Sequence, residues 1–575
     1  MDFKPLLKSA LGEEPCDLLF KNAKFANLCT MEYETGGIAV KDGVIVGIGG
    51  GYAAKETVDC AGHLLLPGFI EGHMHVESTF MVPRNLAAEI SPHGTTTVMP
   101  DPHEIANTCG TEGIRFMHRE SEGLPVDFYY GAPSCVPASA QETPFEYIEA
   151  DEIKKLFADG SCTHLGEMMN FPGVYLGDDK VWAKLAASEG RVITGHAPRV
   201  SGRELAAYLL GGITSDHECD NAEEALEKLR RGMYLMIRQG ATARNLKELA
   251  PLLAAQPGLA ARCLSVSDDI SPNFIHERGH LDGCLRELIE CGVEPLAALR
   301  TITLTPAEYF RLYDRGIIAP AKLADIVMVD NIEKCTVLKV WKRGKLVAEN
   351  GAPTEKITPA VTSALPGYGG EVRTPTADEL RVKIDAPGVE INVIGVIPGQ
   401  VVTKTIRMAP TDIDGYACAD AERELAKMAV VEKNRGTGRC AVGFLHGFGL
   451  VRGAVASSIA HDAHNYTCAG MDDISMETAL RELARLGGGI VIAEGENILA
   501  ELELPVGGLM SLLSAAEIRE KTAALNAARD ALGCTNPHAL MQLSFMSLSV
   551  IPELKLTDKG YFDISRCEVM PLFVH

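Results

Sequence analysis

Leu64-Leu-Leu-Pro-Gly-Phe-Ile-Glu-Gly-His73-Met-His75-Val-Glu77 is a short apolar run that ends in two histidines one residue apart. Read as a strand, it alternates its side chains between two faces, so His73 and His75 point the same way. Two neutral imidazoles on one side of a strand end can grip a single metal ion. A bare His-x-His is also what two unrelated polar residues at a loop mouth look like. Its meaning therefore rests on partners elsewhere in the chain.

Working outward, strand-like runs at 64–75, 95–100, 126–131, 163–168, 191–196, 213–217, 234–238 and 262–268 alternate with helical stretches. Amphipathic candidates lie at 202–210, 222–231 and 246–255, the last two led in by Asn. Eight strands alternating with helices over residues 67–310 is the profile of a (β/α)8 TIM-type barrel, so the fold class read here is α/β. Short strands with Gly-rich turns precede it, and the same texture returns after it. Residues 1–66 plus 311–358 are accordingly expected to form one small composite β-sandwich domain. A Pro/Gly-rich linker is expected over 359–370, and a C-terminal α+β domain over 371–575. In that last region strands are predicted at 390–396, 400–407, 440–444, 449–455 and 489–492, and helices at 420–431, 476–486 and 515–532.

The bulk properties narrow the function classes. A chain of 575 residues exceeds one ordinary domain, and 46% hydrophobic residues supply sizeable cores. A formal charge of −23 argues against nucleic acid and against an anionic membrane surface as partners. Sixteen cysteines are scattered singly from Cys16 to Cys567, without a Cys-x-x-Cys, as expected for free thiols in a reducing compartment. No signal peptide is evident and no apolar run reaches the ~18–20 residues of a spanning helix. A cytoplasmic protein is expected.

Barrel sites are built where strands end. Strand one ends in His73 and His75, strand four in Glu167, strand five in His196, strand six in His217 and strand eight in Asp268. One topology places all six on one rim, as two metal sites: His73, His75 and Asp268 on one ion, His196 and His217 on the other, Glu167 bridging. Such a pair of divalent ions holds a water between them and makes hydroxide near neutral pH. Asp268 beside it would accept a proton and pass it to a leaving amine. Metal-assisted hydrolysis is the reaction class. Glu77 continues the alternation of His73 and His75 and reads either as a proton donor to a ring nitrogen or as a partner to a ligand histidine. His103 and Glu104 follow strand two as candidates for substrate contact or loop structure. Asp269 competes with Asp268 for the metal-facing position, and His280 is a loop anchor or a further contact. His461, Asp462, His464 and Asn465 read as a wall of the site or a domain interface rather than a separate metal site.

Pro67-Gly-Phe-Ile-Glu-Gly-His-Met-His, Val266-Ser-Asp268 and Asp314-Arg-Gly-Ile-Ile-Ala-Pro-Ala-Lys-Leu-Ala-Asp-Ile-Val resemble the amidohydrolase superfamily. More narrowly, His73-Met-His-Val-Glu-Ser-Thr, Met99-Pro-Asp-Pro-His-Glu-Ile-Ala-Asn107 and Ser457-Ser-Ile-Ala-His-Asp-Ala-His-Asn465 resemble its bacterial adenine deaminase family over nearly the whole chain. The resemblance implies removal of the 6-amino group of adenine to give hypoxanthine and ammonia. It also implies two divalent metal ions per chain, manganese or iron first and zinc as the alternative. The expected partner is a small purine base, and the expected assembly a homo-oligomer, a dimer first. The strand ends by themselves leave another heterocycle or a cyclic amide open as substrate. The His-x-Glu…Pro-Cys-x-x-Cys pattern of zinc cytidine deaminases is incomplete, because His75-Val-Glu77 has no Pro-Cys-x-x-Cys to follow it.

Overall fold

A computed structural model describes residues 3–240, 244–357 and 372–575; the linker expected at 359–370 lies outside them. Leu64–Pro67 is buried at every position and joins two distant parts of the chain. It pairs parallel with Cys16–Asn27 on one side and antiparallel with Ile326–Val329 on the other. Cys16–Asn27 continues the sheet through Glu32–Lys41 and Val44–Ile48, and also pairs with Ala54–Asp59. Beyond Ile326–Val329 come Val337–Lys342, Lys345–Glu349 and Ala352–Pro353. The strands before residue 67 and those after residue 325 thus form one nine-stranded sheet.

Between them lie short parallel strands in three hydrogen-bonded groups. The first holds Phe69–Met74, Thr95–Pro100 and Asp127–Phe128; the second Gly131–Ala132, His164–Met168 and Ile193–Gly195; the third Ser215–Asp216, Tyr234–Arg238 and Cys263–Val266. Each predicted strand has a counterpart, the 126–131 run being split at Tyr129 and Tyr130. Thr95–Pro100 and Cys263–Val266 are buried throughout, which is why they read as continuous apolar or small runs rather than alternating ones. Parallel pairing needs long crossovers, and the helices supply them. Ala222–Arg230 is capped by the Asn221 side chain on Glu224 N, and Leu246–Ala255 buries Leu246, Leu249 and Leu253 at helical spacing.

The C-terminal part is built on a second nine-stranded sheet, with helices Asp473–Arg485 and Ala515–Ala531 where helices were predicted. The strand expected at 449–455 lies instead at Ala454–Ser457, and one prediction there fails outright. Residues 420–431 are not helical: Leu425–Val431 is a strand between Cys440–His446 and Tyr466–Gly470. Ala-Glu-Arg-Glu-Leu-Ala-Lys has good helix propensity, but all seven strand positions are buried. Two ladders and burial on both faces outweigh propensity differences of under ~0.7 kcal/mol per residue.

This part packs directly on the parallel strands' surroundings. Asn85 Nδ2 donates to Leu512 O and Leu513 O at 3.1 and 2.7 Å, Thr143 Oγ1 to Asp558 Oδ2 at 2.8 Å, and Ala463 N to Glu142 Oε2 at 3.0 Å. All sixteen cysteines are free thiols, and among the described residues no helix is long and apolar enough to cross a membrane.

Candidate metal centre

The strand ends bring His73, His75, Glu167, His196, His217 and Asp268 together, all but His196 fully buried. His75 Nε2 lies 3.2 Å from Asp268 Oδ1 and 3.4 Å from Glu167 Oε1, and His73 Nε2 lies 3.5 Å from Asp268 Oδ1. On the other side of Glu167, its Oε2 is 2.9 Å from His196 Nδ1 and 3.1 Å from His217 Nε2. Glu167 therefore stands between a His73–His75–Asp268 group and a His196–His217 pair.

The protonation pattern shows what this cluster fits. His75 Nδ1 sits 3.0 Å from Asp101 O and donates to it, while Nε2 faces two carboxylates that, against burial, hold the imidazolium pKa well above its usual value, so the site calls for positive charge there. His73 Nε2 is buried without a hydrogen-bond partner. Lone pairs converging on carboxylates repel unless a cation lies among them. His73, His75 and Asp268 can hold a metal ion, as can His73, Glu167 and His217. The donors, imidazole nitrogen and carboxylate oxygen, suit divalent manganese, iron or zinc. Burial lowers the imidazolium pKa of His217, but Glu167 and Glu218 outweigh it and hold it at about 10. That is the same demand for positive charge, met here by a proton.

Asp268, rather than Asp269, faces the cluster. Its backbone is left-handed, with φ of 55°, and its N–H donates to His73 O at 3.0 Å. This bridge to the first strand aims the Asp268 carboxylate inward, whereas Asp269 accepts from Ser78 Oγ. Glu77 departs from the expectation. The strand ends at Met74, and Glu77 opens a turn of 3-10 helix, so strand alternation does not place it. It is buried nonetheless, with Oε1 accepting Ile105 N at 3.1 Å and Oε2 unpartnered. Burial raises its carboxyl pKa. His103 joins the cluster's edge, its Nδ1 3.4 Å from Asp101 Oδ1 and 3.5 Å from Glu167 Oε1. Glu104 faces His461 and His464. His280 lies apart, on Thr95 Oγ1 at 2.7 Å and 3.4 Å from Glu71, its pKa pushed down to about 3 by burial.

Three further residues were not singled out from the sequence. Arg238, the last residue of strand seven, donates from Nη1 to Asp268 Oδ2 at 2.9 Å and also grips Glu218. Together with His73 and His75 it offsets the burial of Asp268 and holds that carboxyl well below the usual range. Glu218 lies 3.3 Å from His217 Nε2. Asp101 Oδ2 accepts Glu167 N, fixing the strand-four end. Adjacency was the available signal for the last two, since Glu218 follows His217 and Asp101 opens the Asp-Pro-His-Glu motif.

Behind His196 and His217 lies a buried ion pair. Asp216 Oδ1 accepts Ala197 N at 2.7 Å, and Oδ2 accepts Lys228 Nζ at 3.0 Å. Lys228 also donates to Ala197 O and Glu224 Oε1, each at 2.6 Å. One lysine thus ties together the residues next to both histidines.

Comparison with known proteins decides the family. The amidohydrolase family matches residues 64–347, and the adenine deaminase C-terminal domain matches residues 400–568. Adenine deaminase 2 of Carboxydothermus hydrogenoformans is 41% identical over 570 residues, 99% of this chain and 99% of that protein. The chain belongs to the adenine deaminase family. The adenine deaminases of Methanoregula boonei and Oleidesulfovibrio alaskensis are likewise 41% identical, over 577 and 571 residues, covering 100% and 99% of this chain and 100% and 98% of theirs. The amidohydrolase family match contains all six converged residues, and the adenine deaminase C-terminal domain match contains His461 to Asn465.

Proposed function

We propose that the chain deaminates adenine hydrolytically, giving hypoxanthine and ammonia. What carries this reading is the converged His73, His75, Glu167, His196, His217 and Asp268 cluster in a chain that matches proteins named adenine deaminase along its whole length. We read the parallel strands as one closed (β/α)8 barrel at 67–310. The Met74–Asp268 bridge and the 3.1 Å bond from Thr214 N to Ile193 O, which link the three groups, support that closure. The separate outer sheets support a composite β-sandwich domain at 1–66 plus 311–358 and an α+β domain at 371–575.

His73, His75 and Asp268 would hold one divalent ion, His196 and His217 a second, with Glu167 between them. Such ions supply Lewis acidity, which activates water at neutral pH and polarises the carbon under attack. The residues handle the protons. Asp268, kept ionised by Arg238, is placed to take a proton from the attacking water and hand it to the departing amino group. Glu77, with its raised pKa and free oxygen, is placed to protonate ring nitrogen N1. One water is consumed, its oxygen stays on C6, and the amino group leaves as ammonia.

Metal-loaded protein should release ammonia from adenine, with hypoxanthine identified by its ultraviolet spectrum. Chelation should abolish release and manganese restore it, and His196→Ala should lower metal content and turnover together. Full activity after rigorous chelation refutes the metal reading; turnover of guanine, cytosine or a hydantoin without adenine refutes the substrate. A homodimer and a cytoplasmic location complete the proposal, tested by sedimentation and by fractionation.

A further inference from the structure

Glu104 and His464, both buried, and the partly buried His461 form a second array, which shares no member with the metal-ligand groups described above. Two of the three come from the C-terminal part, so this is where that part meets the site. His464 is wholly buried, and its Nδ1 accepts Ala460 N at 3.1 Å. A neutral imidazole that accepts at Nδ1 carries its proton on Nε2. That Nε2 lies 3.8 Å from Glu104 Oε2 and has no hydrogen-bond partner. A protonated Nε2 has no lone pair for a cation, so the trio is a hydrogen-bonding array and not a third metal site.

The array is held rigidly. The His461 ring stacks on Phe545 with centroids 4.7 Å apart and planes at 11°, and His461 N donates to Ser544 O at 2.8 Å. Ala463 N is fixed on Glu142 Oε2. His461 Nδ1 approaches Glu104 Oε1 only to 3.5 Å. Both histidine contacts are longer than a normal hydrogen bond, so Glu104 keeps acceptor capacity. His103, the preceding residue, spans the gap, with Nδ1 3.5 Å from Glu167 and Nε2 4.0 Å from Asp462.

We infer that Glu104, positioned by His461 and His464, accepts the imidazole-ring N–H of a free purine and so selects the base over 9-substituted purines. This rests on the adenine reading above. With C6 and N1 at the ligand cluster, the ring's own N–H lies at the far end of the base, and Glu104, which follows the cluster-edge His103, is the carboxyl we assign to it. A 9-substituted purine lacks that donor and leaves a buried carboxyl unpaired, the situation in which polar sites discriminate most strongly. Either protonation state of Glu104 retains an acceptor oxygen.

The test uses full-length, metal-loaded protein and compares inhibition of adenine turnover by hypoxanthine and by 9-methylhypoxanthine. The wild type should bind hypoxanthine more tightly. Glu104→Leu should weaken hypoxanthine by about 10- to 100-fold and leave the 9-methyl compound within a few-fold, so the preference collapses. Glu104→Gln, which keeps an acceptor, should retain most of the preference. His464→Phe should reduce it with kcat changed less than KM, and carries the test if the leucine variant does not fold. An unchanged preference in Glu104→Leu or His464→Phe, or equal binding of both compounds by the wild type, overturns the inference. A wild type that releases no ammonia from adenine defeats instead the reading on which it rests.

Discussion

Replacing Lys228 by methionine should destabilise the protein and loosen one half of the metal centre. The Lys228 and Asp216 side chains are 1% and 0% exposed, so the substitution leaves an ionised carboxylate with no cation in a dry site. Breaking a buried pair from one side costs about 3–5 kcal/mol. Asp216 keeps the Ala197 and Glu218 backbone donors, which places the expected loss at the lower end, about 3 kcal/mol. Burial raises the Asp216 carboxyl and Lys228 more than offsets it, so its folded pKa is depressed. The pair's contribution is therefore complete above the unfolded value near ~4 and fades as pH falls through the lower folded value. The double variant Lys228→Met with Asp216→Asn should recover about half the loss, because the amide oxygen still accepts Ala197 N. Urea denaturation followed by circular dichroism at fixed metal concentration measures both, and metal analysis should show the second ion bound about 10-fold more weakly. A loss below about 1 kcal/mol, or a double variant no more stable than the single one, would refute the buried-charge reasoning.

Asp268→Asn should keep the fold and lower kcat by about 10²–10⁴-fold, as expected for loss of a proton-transfer group, with KM moving far less. Stopped assays of ammonia release check it. Lys555 is buried with its pKa pushed down to about 7, although it donates to Val401 O and Phe545 O. Between pH 7 and the unfolded value near ~10.4 the unfolded chain binds this proton and the native one does not, so stability should rise with pH there and level off below 7. Denaturant midpoints at pH 7 and 9 should show the rise in the wild type and not in Lys555→Met.

Much of the site is legible in the sequence. Strand ends are local events, so a histidine or carboxylate closing an apolar run marks its own position. All six converged residues were found this way, Asp268 over Asp269 included, although here a left-handed turn decides the matter rather than plain alternation. Glu77 lay one step beyond that logic, since nothing in Val76-Glu77-Ser78 announces where the strand stops. Arg238 escaped because its meaning lies in Asp268 and Glu218, which are distant in sequence and generic in type. The 420–431 stretch misled because its composition is helical while its surroundings are a sheet interior; burial on both faces is a tertiary fact. The array around His461 joins residues more than 300 positions apart, and no spacing reports that.

The pairing of Leu64–Pro67 with Ile326–Val329 bears on the order in which the molecule can assemble on the ribosome. Leu64–Pro67 runs straight into the strand that carries His73, yet one of its two flanking partners is synthesised some 260 residues later. Until that stretch emerges, the N-terminal sheet keeps an apolar edge open at Leu64–Pro67, the segment that leads into the His73 strand. Loop closure over such a span slows folding, and an exposed edge invites wrong pairing. Nascent chains halted shortly before residue 326 should therefore be protease-sensitive and bind metal poorly, and those extended past residue 353 should not.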